Sequence, residues 1–183
     1  MPALRHPFWS ITLKTIVVHT VTYFIAGILA LNIFHYAQQF VDPAFAYPMR
    51  PVSDPIVYAG PLFQPLRGQL FGAIFYLLRS VLFRPRDGWL ILWALLVIVG
   101  IFNTFGPAPG SIEGMVYTTP SAWSQIKGLP ETIFQTLLLS LILWYWVRHP
   151  EKRWLTWVMV IAFALIIAMT VLGLLVVTAR LPS

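Results

Sequence analysis

The chain contains no cysteine. That excludes disulfides, thiolate metal sites, cysteine nucleophiles and dithiol redox chemistry. Charge is also scarce. Charged residues are 10% of the 183 positions, against roughly 25% in an ordinary soluble domain. Only six are acidic, against twelve Lys and Arg. Apolar residues reach 58% and the mean hydropathy is +0.78. This balance excludes a soluble globular domain, a disordered chain and a nucleic-acid binder. The short catalytic signatures are missing too. There is no Walker loop, no H-E-x-x-H and no G-x-S-x-G. Ser111 follows Gly110, but the next glycine is Gly114, three residues on, so no nucleophile elbow forms. No close acidic pair recommends general acid–base chemistry, and no catalytic residue, cofactor or metal site is expected.

What remains is grease and punctuation. A helix needs about 20 apolar residues to cross the hydrocarbon core. Five segments approach that: about 11–34, 66–83, 88–105, 130–147 and 154–178. The expected fold is all-α, a single polytopic membrane bundle of five transmembrane helices. Pro65 and Pro130 suit the first turn of a helix, where a missing N–H costs little. Glu131 follows in that first turn, where a carboxylate favours the helix dipole. Short polar turns at 84–88 and 148–153 should make their flanking spans antiparallel neighbours. Trp89, Trp93, Trp144, Trp146, Trp154 and Trp157 cluster beside those turns, where an aromatic belt belongs.

Counting cations gives the sidedness. The N-terminal side with both short turns carries Arg5, Lys14, Arg79, Arg84, Arg86, Arg148, Lys152 and Arg153. The other side carries Arg50, Arg67, Lys127 and Arg180. The N-terminus is therefore expected in the cytoplasm and the C-terminus outside. The basic face should attract anionic lipid, about 1 kcal/mol per well-placed cation. Ala44-Phe45-Ala46 has the form of a signal cleavage site, but the apolar run before it exceeds the usual h-region of roughly 7–15 residues. An uncleaved first span is expected.

Both long connections, 35–65 and 106–129, then lie outside. They are rich in proline, which fixes φ, and in residues that pack. Two ordered extracytoplasmic loops are expected, capping the outer mouth of the bundle. Arg50, Asp54, Arg67, Glu113 and Glu131 are the candidate ligand-binding cluster, with inter-loop ion pairing as the structural alternative. The planar fork of Arg67 suits a headgroup or a carboxylate.

Inside the bilayer, a helical projection of the first span puts Thr12, Thr15, His19, Thr22, Tyr23, Ala26 and Ala30 on one stripe. These small and hydroxyl residues should face the bundle and bond across helices. The second span offers Gln69, Gly72, Ala73, Tyr76, Arg79 and Ser80 as its matching stripe, with Arg79 snorkelling or paired to Asp87. His19, Tyr23, Tyr76 and Gln135 are the candidate intramembrane polar residues. His19 should hydrogen-bond Tyr76 or a hydroxyl. His35 lies 16 positions on, about 160° around the helix, which disfavours a shared metal.

The five-span, Trp- and Pro-rich layout resembles the tryptophan-rich sensory (translocator) family, but the chain lacks that family's Pro-Pro motif with paired tryptophans in the first outer loop. The strings at 59–68 and 104–114, with Gly88-Trp89-Leu90-Ile91-Leu92-Trp93, are similar to segments of a family of bacterial polytopic inner-membrane proteins with no known activity. That likeness implies a multi-pass protein of a bacterial inner membrane and no chemistry. Three functions stay open. The first is a non-enzymatic protein binding a small molecule, lipid or partner subunit (including a second copy) at the outer loops. The second is a small transporter or channel with a polar path along spans one, two and four. The third is an intramembrane enzyme acting on a lipid-linked substrate, with Glu113 or Glu131 as base and Arg67 on phosphate.

Overall fold

The computed structural model describes residues 7–33, 50 and 54–179. Among them every regular element is helical and no strand occurs. The elements are α1 (Phe8–Ile33), α2 (Pro55–Tyr58), α3 (Gly60–Leu77), α4 (Arg79–Leu82), α5 (Gly88–Ala94), a π-helical continuation (Leu95–Phe102), α6 (Ile112–Tyr117), α7 (Ala122–Lys127), α8 (Leu129–Arg148) and α9 (Arg153–Ala179). Three helices are long and apolar enough to cross a membrane: Phe8–Ile33, Ala122–Arg148 and Arg153–Ala179.

The other two expected spans differ from the sequence reading. α3 starts at Gly60 rather than near Leu66, so Pro65 sits inside the helix and Pro61 takes the first-turn place. α3 ends because Leu78 leaves helical geometry at φ −89° and ψ 8° before α4 resumes. α5 and the π segment have seven and eight residues. At 1.5 Å per residue they reach about 22 Å, less than the roughly 30 Å of hydrocarbon. The π winding is confirmed at its end, where the Asn103 amide donates to the Ile98 carbonyl five residues back.

α1 is the hub. It packs against α3, α8 and α9, while α5 packs on α8. The closest backbone approach is between α1 and α3. A Cβ on Gly68 would stand 2.7 Å from the Ile16 Cα, and one on Gly72 would stand 2.7 Å from the Thr12 Cα. The pairing runs antiparallel, and Gly68-x-x-x-Gly72 makes it, since four residues return to the same helix face. The buried face of α3 is Gln64, Gly68, Gly72 and Phe75. Of the expected stripe, Gly72 lies on that face and Tyr76 packs partly against the core, while Gln69 and Ser80 are exposed.

On α1 the expected inner stripe is buried at Thr12, Thr15, His19, Thr22, Ala26 and Ala30. Its hydroxyls behave differently from expectation. Thr15 donates to the Ile11 carbonyl at 2.8 Å and Thr22 to the Val18 carbonyl at 2.8 Å. These two hydroxyls close bonds on their own helix instead of bridging to a neighbour, and the buried Thr12 hydroxyl has no hydrogen-bond partner among the described residues. The apolar core joins Ile11, Val18, Phe75, Leu92, Leu143 and Trp146 across α1, α3, α5 and α8.

The two short turns meet at one end of the molecule. Arg148 donates to the carbonyls of Arg84 at 2.8 Å and Pro85 at 2.7 Å. Trp144 donates to Pro85 at 3.3 Å, and Trp146 to the Thr156 hydroxyl at 3.0 Å. Lys14 donates to the Trp146 carbonyl at 3.0 Å, a cation at the negative end of the α8 dipole. Arg79 lies 4.2 Å over the Tyr76 ring and donates to the Tyr76 carbonyl, with no ion pair to Asp87.

Candidate polar binding site

Residues of opposite chemistry gather along α1, on the stretches that pack against α3 and α8, toward the end away from the short turns. The antiparallel register of α1 and α3 sets the arrangement. With Ile16 opposite Gly68, one turn further along α1 brings His19 to the level of Gln64, and the next brings Tyr23 to Gly60. The Tyr23 hydroxyl lies 3.2 Å from where a Cβ on Gly60 would stand. A side chain at position 60 would crowd the phenol by a few tenths of an ångström. Gln64 is buried and donates to the Gly60 carbonyl at 3.0 Å. Arg67, one turn on, reaches the Gln64 side-chain oxygen at 3.5 Å and is otherwise exposed.

α8 brings Glu131, whose Oε1 lies 3.9 Å from the Cβ position of Gly27 on α1. The charges of Glu131 and Arg67 both act on the Tyr23 phenol, with opposite sign. The Arg67 charge also acts on His19. Gln135 sits half-buried on α8, one turn beyond Glu131.

His19 is the unusual member. It is 2% exposed, and its ring meets Phe71 edge-on with centroids 5.2 Å apart. The Gln64 side chain approaches it, yet neither ring nitrogen has a hydrogen-bond partner. A buried polar group without a partner costs about 1–3 kcal/mol. An imidazole has two such atoms. The Tyr76 contact expected for His19 does not form, because Tyr76 lies nearer the opposite end, between Phe8 and Arg79.

The loop candidates scatter. Arg50 pairs with Asp54 at 3.0 Å. Asp54 also caps α2, accepting from the Ile56 amide at 3.0 Å. That amide and the Arg50 guanidinium hold the Asp54 carboxyl below its usual range. Glu113 is exposed in the first turn of α6, and its carboxylate makes no hydrogen bond or ion pair with a described residue. Residues 35–49 and 51–53 of the first expected cap lie outside the described residues.

The second connection is built around Gln125, which the sequence reading passed over. Its Oε1 accepts from the Gly110 amide at 3.1 Å. Its Nε2 donates to the Pro120 carbonyl at 2.9 Å and reaches the Gly114 carbonyl and Thr118 hydroxyl at 3.3 Å. Gly110 is required there, at φ +84°. Ser111 and Ser121 cap α6 and α7. Gln125 stands four residues after the capping serine of a short helix, and nothing in that local pattern signals its reach back to Gly110.

Among the described residues no group of three His, Asp or Glu stands close enough to hold a metal. The cluster of His19, Tyr23, Gln64, Arg67 and Glu131 offers instead a cation, a carboxylate, a phenol, an amide and an unpaired imidazole. Such a set suits an anionic group with neighbouring hydrogen-bonding atoms. Compared with protein-family models, curated proteins and solved structures, the chain matches none.

Proposed function

We propose that this chain is a non-enzymatic multi-pass protein of a bacterial inner membrane that binds an anionic small molecule or lipid between α1, α3 and α8. In this reading the bilayer is crossed five times. α3 with α4, and α5 with its π continuation, complete the set, the short ones drawing flanking turns into the headgroup layer. The short turns face the cytoplasm, as the excess of cations there favours. The binding site then opens on the extracytoplasmic half.

The observation that carries the reading is His19, buried beside Gln64 and Arg67 with both nitrogens unpaired. Arg67 takes the anionic group, and Tyr23 and Gln64 orient it. His19 supplies the deepest polar contact. The Gly68 and Gly72 contacts seal the α1–α3 seam below His19. That favours a closed-end binding site over a path through this seam.

Native mass spectrometry on protein lifted from its own membrane in lipid nanodiscs tests the reading. The intact chain should carry a stoichiometric anionic adduct. Arg67→Ala and Tyr23→Phe should lose it while keeping the helical content of the parent. A bare parent chain, or the same adduct on both variants, would overturn the reading.

A further inference from the structure

We propose that residues 105–127 form an interfacial foot, with α6 and α7 lying in the headgroup layer and their apolar side chains pressed on the acyl boundary of the bilayer. The unit has a polar centre and a greasy exterior, the reverse of a soluble loop. Gln125 and the capping serines satisfy its interior. Its apolar side chains point outward. Trp123 is 67% exposed, Val116 65%, Tyr117 72% and Ile112 62%. Phe105 is fully exposed and Ile126 41% exposed. The 105–127 segment carries only two charges, Glu113 and Lys127.

Depth along α8 selects lipid as the occupant. α8 has 20 residues, about 30 Å at 1.5 Å per residue, which matches the hydrocarbon thickness. α7 continues the same apolar run, Ala122–Arg148. It therefore emerges at headgroup level, with its apolar surface continuous with the lipid-facing side of α8. The residues are right for that depth. Lys127 lies 5.8 Å from the centre of the Trp123 ring, an ammonium beside an indole, as at a membrane–water boundary. This foot lies at the opposite end of α8 from Trp144 and Trp146, so the molecule has an aromatic belt at each surface. The connection lies along the membrane rather than over the mouth of the bundle.

The absence of cysteine makes the test clean. Val116→Cys, Ile126→Cys and Thr119→Cys in the full chain are labelled with bimane and reconstituted in phosphatidylethanolamine–phosphatidylglycerol vesicles. Labels at positions 116 and 126 should be quenched more by brominated acyl chains than by aqueous iodide. The order should reverse at position 119, an exposed threonine between the two helices. Val116 and Ile126 lie on different helices, so if one variant fails to insert the other still decides. Iodide-dominated quenching at both would overturn the proposal by placing the foot in water. Protection from both quenchers would also overturn it, by showing that a protein surface or a second copy covers the foot.

Discussion

Gly68→Ala is the sharpest perturbation of the packing. A methyl at position 68 would stand 2.7 Å from the Ile16 Cα, closer than real contacts allow, and the atom it meets is backbone. The helices must separate or shift. Overpacking of this kind costs about 1–3 kcal/mol. Alanine is also a better helix former than glycine, by about 1 kcal/mol, so the raw change mixes two terms. Gly173→Ala on α9 is the internal standard, because nothing lies within 4 Å of its added methyl. Both changes share the propensity gain. Their difference isolates the clash, and about 1–3 kcal/mol is expected, with Gly68→Ala the less stable. Equilibrium unfolding in mixed micelles, followed by tryptophan emission and helical signal, reads this difference. Equal stabilities would refute the close α1–α3 seam, and with it the register that brings His19 to Gln64.

Three further outcomes follow from particular contacts. Gln125→Leu removes the acceptor of Gly110 and the donor to Pro120; it should loosen residues 108–125 by about 1–3 kcal/mol, seen as faster amide exchange there with α8 unchanged. The Asp54 carboxyl is held below its usual range, so its capping of α2 is complete above the ordinary carboxylate range and is lost as pH falls through the lowered value; a carboxyl NMR titration should show this, and Arg50→Ala should move the midpoint up. Single cysteines at Arg86 and Ser121 should label from opposite faces of sealed right-side-out vesicles, Ser121 from outside; the reverse pattern would invert the topology.

The helices were legible because apolar run length has few interpretations in so uncharged a chain. α1, α8 and α9 fall within a few residues of the runs read from composition. The inward face of α1 was legible for the same reason, since threonine, histidine and alanine alternate with bulky aliphatics at helical spacing. On α3 the expected stripe is met at Gly72 and fails at the exposed Gln69 and Ser80, because polarity alone does not mark the inward face. In a bilayer, the inward residues are those small enough to let another backbone approach, and Gly68 and Gly72 are. The short turns suggested which helices pair, but α1 became the hub through its small residues, whatever the chain order. His19, Tyr23, Arg67 and Glu131 were each visible as candidates. Gln64 was not, because a lone glutamine beside a proline carries no pattern, and only the α1–α3 register brings it to His19. The π winding of Leu95–Phe102 has no sequence marker that we can identify.

The central claim is that His19 completes its hydrogen bonding through a bound ligand, and nitrogen-15 NMR of its imidazole tests that most directly. In protein held in native lipid, at least one ring nitrogen should show a hydrogen-bonded shift, and exhaustive delipidation or Arg67→Ala should abolish it. Ring nitrogens with the same shifts in native, delipidated and Arg67→Ala protein would contradict the account.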